Sequence, residues 1–115
     1  LNFVMADQPK NIKDAFDGLD NQIVDLVGNY VKRRREHYEA AAKALHEELK
    51  KDAARYTLMA SEGTITPSDL EFLVKGRWAV LKIELLSEAS LARNKAEGIA
   101  GDILKLTLST ALQFV

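Results

Sequence analysis

Lys32-Arg33-Arg34-Arg35 is the densest run of one charge in the chain. Guanidinium groups offer paired N–H donors that match phosphate oxygens, so such a run could hold a phosphate group or a polyanion such as nucleic acid. If the chain folds back on itself, Arg93 and Lys95 come near the run, and Arg33, Arg34, Arg35 and Arg93 become the candidate anion-binding set. The competing reading is a solvated face. Lys32 stands four residues before Glu36 and Arg35 four before Glu39, the spacing at which opposite charges pair along one helix, and Glu36, Glu39 and Glu47 interleave with the basic residues. The remaining arginines could also meet Glu84 or Glu88 of a second subunit, so ordinary surface pairing takes precedence over an anion site.

Metal and acid–base chemistry find less to work with. Metal sites in helical bundles use a Glu-x-x-His pair, but the residues three before His37 and His46 are Arg34 and Lys43. The two histidines are nine positions apart, half a turn out of phase on one helix, so they cannot share an ion. Glu84 and Glu88 lie one turn apart and could share a divalent cation, although a solvated acidic pair is the commoner outcome. The sequence has no cysteine, which excludes disulfides, thiolate ligands and cysteine nucleophiles. There is no Gly-x-Ser-x-Gly elbow, and Gly98-Ile99-Ala100-Gly101 follows no strand, so it reads as close helix packing rather than a nucleotide loop. No catalytic residue, metal or cofactor is expected, and the protein is expected not to be an enzyme.

The elements that carry these side chains are helices, and one stretch punctuates them. Gly63 is placed to take the left-handed conformation that closes a helix near Ser61. Thr66 then caps the next helix, Pro67 occupies its first position, Asp69 completes a capping box, and Ile65 and Leu70 stand at the positions of a hydrophobic staple. The chain is therefore expected to be one all-α domain over 1–115: a long antiparallel helical hairpin with helix one about 10–61, a turn at 62–66 and helix two about 67–114.

Apolar residues at Ile12, Phe16, Leu19, Ile23, Leu26 and Tyr30 follow a heptad seam, which resumes one position out of register at Tyr38, Ala42, Leu45, Leu49, Ala53, Tyr56 and Ala60. A nearly straight helix is expected across that shift, with a break or kink at Gly18. Helix two carries Val74, Trp78, Leu81, Leu85, Ala89, Ala92, Ala96, Ile99, Ile103 and Leu106 on one stripe, and Trp78, Tyr30, Tyr38 and Tyr56 read as core. A second stripe of Leu104, Leu108, Ala111, Leu112 and Val115 makes its end apolar nearly all round. Phe72, Val80, Ile83 and Leu86 widen the apolar face near the turn, while Ala40, Ala41, Ala42 and Ala44 make a slim waist.

Two rods of about 75 Å cannot enclose so much apolar surface, so the hairpin is expected to dimerise into an elongated four-helix bundle. Ile23, Leu26, Tyr30, Leu81, Leu85, Ile99, Ile103 and Leu106 are the expected seam, with Leu104, Leu108 and Leu112 covering the second copy or another protein partner. The expected function is that of a homo-oligomeric scaffold or adaptor. Polyanion binding through the arginines is the first alternative, and membrane-surface association of the C-terminal helix the second. With 16 basic and 17 acidic side chains the net charge is -1, which gives no global attraction to nucleic acid or anionic lipid. The segment from Gly98 to Val115 contains Asp102 and Lys105 and is short for a membrane span. The opening residues lack a secretory signal, Met5 is the expected natural start with residues 1–4 appended, the chain is expected to continue past Val115, and the expected location is cytoplasmic.

Overall fold

The computed structural model describes residues 7–88 and 90–115. Residues 1–4 and the stripe position Ala89 therefore lie outside the described residues. Within them the protein is all helical: α1 (Gln8–Asp17), α2 (Asp20–Val27), α3 (Arg35–Ser61), α4 (Pro67–Leu86) and α5 (Arg93–Leu112).

The α3–α4 turn is built as its residues dictate. Helix α3 ends at Ser61, Gly63 takes φ +79°, and the Thr64 amide reaches back to the Met59 carbonyl at 2.9 Å. The Thr66 hydroxyl accepts from the Asp69 amide at 3.0 Å while the Asp69 carboxylate accepts from the Thr66 amide at 3.1 Å. Leu70 is buried and Ile65 half-buried beneath the cap. Arg77 Nε on α4 pairs with Asp52 on α3 at 2.7 Å, tying the two antiparallel helices together.

The arms of this hairpin are not continuous rods, and each break has a local cause. The first arm is interrupted at Gly18, as expected, and a second time at 28–34, where a straight helix was expected. After α2 the Asn29 and Tyr30 amides bond to the Leu26 and Val27 carbonyls as tight turns, and Arg34 adopts the left-handed conformation at φ 58°. Arg35 then folds back over Gly28: its Nη2 donates to the Val24 carbonyl at 3.2 Å, placing a cation on the free carbonyl end of α2. A β-carbon at Gly28 would lie 2.7 Å from the Arg35 guanidinium, so glycine is what admits this contact.

The second arm breaks at 87–92. The Ser87 hydroxyl donates to the Glu84 carbonyl at 2.6 Å, offering the backbone an alternative to continued helix. Ala92 is extended, with φ −70° and ψ 125°, and its amide donates to the Tyr38 hydroxyl at 2.8 Å. Helix α5 consequently returns across α1, α2, α3 and α4 instead of running on. Trp78 Nε1 donates to the Ala100 carbonyl at 2.8 Å, and a β-carbon at Gly98 would overlap the Tyr30 ring. The folded chain measures 50 × 23 × 17 Å, against the 75 Å anticipated for uninterrupted rods.

One core results. Ile12, Phe16 and Ile23 from the first arm, Leu49 from α3, Leu70 and Val74 from α4, and Ile99 and Ile103 from α5 are all essentially inaccessible to solvent. The broadly apolar end of the chain is thus largely covered within a single copy, which removes the reason for which a partner was expected there.

Candidate functional site on α4 and at the α2–α3 link

Helix α4 is apolar on two opposite faces. Leu70, Val74, Leu81 and Leu85 are buried. About half a turn away at 100° per residue lie Phe72, Gly76, Ala79 and Ile83, spaced four, three and four, with Val80 beside them. Phe72 is 76% exposed, Ile83 67% and Val80 52%, and nothing stands within 4 Å of a β-carbon built on Gly76. These are large side chains in an unbroken row with a small-residue saddle at its centre. Isolated surface apolar residues are ordinary, whereas Phe72, Val80 and Ile83 are gathered on one face of one helix.

The residues expected to face a partner lie elsewhere. Ile23, Leu81, Leu85, Ile99 and Ile103 are buried in the core of their own chain, and Leu26, Tyr30, Leu104, Leu106 and Leu108 pack half-buried against it. Of the three leucines expected to cover a second chain, only Leu112 is exposed, at 42%. The difference follows from the break at 87–92, which folds α5 onto α1–α4.

The basic residues are divided by the break at 28–34. Arg35 is held by Glu39 at 2.7 Å and by the Val24 carbonyl, and Arg93 faces Glu97 at 3.5 Å, so both leave the expected set. Lys32, Arg33 and Arg34 instead share a cleft of about 520 Å³ with Lys95, Tyr30, Tyr38 and Ala92. Among the described residues no acidic side chain lines it. Among the described residues none of these four cations has an ion-pair partner, so the intrahelical pairing expected between Lys32 and Glu36 is not made.

Comparison with protein-family models, curated proteins and solved structures yields no match. The geometry of this chain therefore carries the functional reading by itself.

A second groove, about 430 Å³, lies between α3 and the end of α4, floored by Ala40, Ala41 and Ala44 and bordered by Glu48, Glu84 and Glu88. It is the waist read from the alanines. His37 stands on its wall, whereas His46 is buried on the α1 side of α3, so the two histidines do diverge. Among the described residues no group of three His, Asp or Glu side chains is spaced to hold a metal, and no helix is long and apolar enough to cross a membrane.

His46, weighed in the sequence only as a metal ligand, is a buried ionisable group in the fold. Its Nε2 donates to the Phe16 carbonyl at 3.1 Å and lies 3.1 Å from the half-exposed Asp20 carboxylate, leaving buried Nδ1 without a partner. Burial lowers its pKa despite the opposing pull of Asp20 and of the Phe16 carbonyl. Around it, Lys13 and Lys50 hold Asp17 down to about 2, and Asp17 and Glu47 raise Lys50, which pins α1 to α3. Tyr30 donates to Asp102 at 2.6 Å, and that bond, with burial, raises the phenol above its ordinary value.

Proposed function

We propose that the protein is a non-enzymatic interaction module that works as a homodimer, pairing α4 with α4 of a second copy, and that its working place is the cytoplasm. The observation that carries this reading is the exposed stripe of Phe72, Gly76, Ala79, Val80 and Ile83. The stripe is self-complementary. In an antiparallel two-fold pairing centred between Arg77 and Trp78, Phe72 comes opposite the partner's Ile83 and Gly76 opposite the partner's Ala79. Large residues then meet large ones, and the small pair lets the helix axes approach.

A single 20-residue helix spans about 30 Å, so the surface lies at the small end of stable interfaces. A dissociable dimer is the corresponding assembly. It replaces the elongated bundle expected from two continuous hairpins with back-to-back contact of two compact bundles.

Sedimentation velocity on wild type and Ile83→Glu tests the reading. Wild type should show concentration-dependent dimerisation, and Ile83→Glu should remain monomeric with unchanged helicity, because its site is exposed in one copy. Leu108→Glu serves as a contrast and should unfold the chain, since Leu108 packs against the intrachain core. A wild type that stays monomeric at millimolar concentration refutes the proposal.

A further inference from the structure

We infer that the cleft between the α2–α3 link and the start of α5 is a binding site for a phosphoryl group. This is independent of the pairing through α4. Four cations, Lys32, Arg33, Arg34 and Lys95, border one cavity without an acidic neighbour in its lining, although the chain as a whole has net charge -1. Like charges held together without counter-charge repel one another, and a bound dianion reverses that cost.

The backbone supplies the same sign. Two helices, α3 and α5, begin at this cleft, with Arg34 and Ala92 as their N-caps, and neither has a side-chain cap. Helices α1 and α2 also lack a side-chain cap, and what sets α3 and α5 apart is that both begin at the same cleft. Uncapped first-turn amides carry the positive end of the helix dipole and donate readily to phosphate oxygens.

A third donor is buried in the wall. Tyr38 is only 6% exposed, and its hydroxyl accepts the Ala92 amide at 2.8 Å. Accepting that bond leaves the hydroxyl proton free to be donated to a ligand in the cleft. Arg34 meanwhile holds the left-handed conformation at φ 58°, where glycine would be unstrained. A costly backbone state at an arginine is the pattern of a residue retained for its side chain.

Inorganic phosphate, pyrophosphate and ADP, each titrated at constant ionic strength against ¹⁵N-labelled protein, test the assignment. The amides of Arg93, Asn94, Lys95, Arg35 and Glu36 should shift saturably. Lys95→Gln and Arg34→Gly should each weaken binding at least about tenfold, the scale of a lost charge-assisted hydrogen bond. Arg34→Gly also relieves the strained φ and should retain or gain thermal stability, and Lys95 is exposed, so weakened binding in either cannot be ascribed to misfolding. Tighter binding of ADP than of pyrophosphate assigns the group to a phosphate ester, whereas equal or weaker binding of ADP assigns it to the free anion. The inference is overturned if none of the three shifts these amides, if both variants titrate like wild type, or if only an oligonucleotide binds.

Discussion

Lowering the pH from 7 to 5 should destabilise the protein through one residue, His46. Its imidazole is 1% exposed, with Nε2 donating to the Phe16 carbonyl and Nδ1 buried without a partner. Protonation would put both a charge and an unpaired N–H into the core. Asp20 pulls the other way, but its side chain is half exposed and its field is screened, so burial dominates and the folded-state pKa lies below the ordinary value of about 6.5. The unfolded chain therefore binds more protons between the two pKa values, and stability falls as pH drops through about 6.5, levelling off below the folded-state value. One group can contribute a slope of at most about 1.4 kcal/mol per pH unit. Urea unfolding from pH 5 to 7 should show this slope in wild type. His46→Gln, which keeps an N–H for the Phe16 carbonyl but cannot titrate, should lack it. Asp17 titrates near 2 and Glu47 is lowered from its ordinary value, so neither contributes in this window. Parallel profiles for the two proteins, or a wild type that gains stability as pH falls, would refute the reasoning.

Two glycines three residues apart on α5 should respond oppositely to alanine. Gly98→Ala should cost about 1–3 kcal/mol because its β-carbon meets the Tyr30 ring, while Gly101→Ala should gain about 0.5–1 kcal/mol because the space is open; chemical denaturation reads both. Thr66→Ala should cost about 1 kcal/mol by removing the cap of α4, and the same measurement checks it. On the acid side, the stability conferred by Asp17 is present above its unfolded value of about 3.9 and is lost as pH falls through about 2; Asp17→Asn should flatten that limb of a pH–melting curve.

The α3–α4 turn was fully legible in the sequence because its determinants are local. Gly63, Thr66, Pro67 and Asp69 each act on backbone within four residues, and all take their expected roles. The seam was legible too, since Ile12, Phe16, Leu19, Ile23, Tyr38, Ala42, Leu45 and Leu49 are all buried. The breaks at 28–34 and 87–92 were harder to read. Both segments contain good helix formers, and the contacts that terminate them come from distant positions: Arg35 returning over Gly28, and Tyr38 receiving the Ala92 amide. Gly28 and the register shift after Tyr30 were the sequence signals of the first break. Ser87 and Ser90 were the weak signal of the second.

Those breaks also explain the redistribution of the candidate sites. Arg35 and Arg93 are diverted to Glu39 and Glu97, Lys95 joins the cleft, and the leucines of α5 go inside. Phe72, Val80 and Ile83 were visible in the sequence as a widening of the apolar face. Their phase relative to Leu70, Val74 and Leu81 places them on the opposite side of the helix, where Gly76 and Ala79 complete the stripe.

Cysteine cross-linking tests the α4 pairing most directly, because the chain has no cysteine of its own. Gly76→Cys and Ala79→Cys proteins, mixed and mildly oxidised, should form a covalent heterodimer much faster than Lys51→Cys chains, whose label sits on an exposed position of α3. Equal cross-linking rates at the two locations would contradict the pairing.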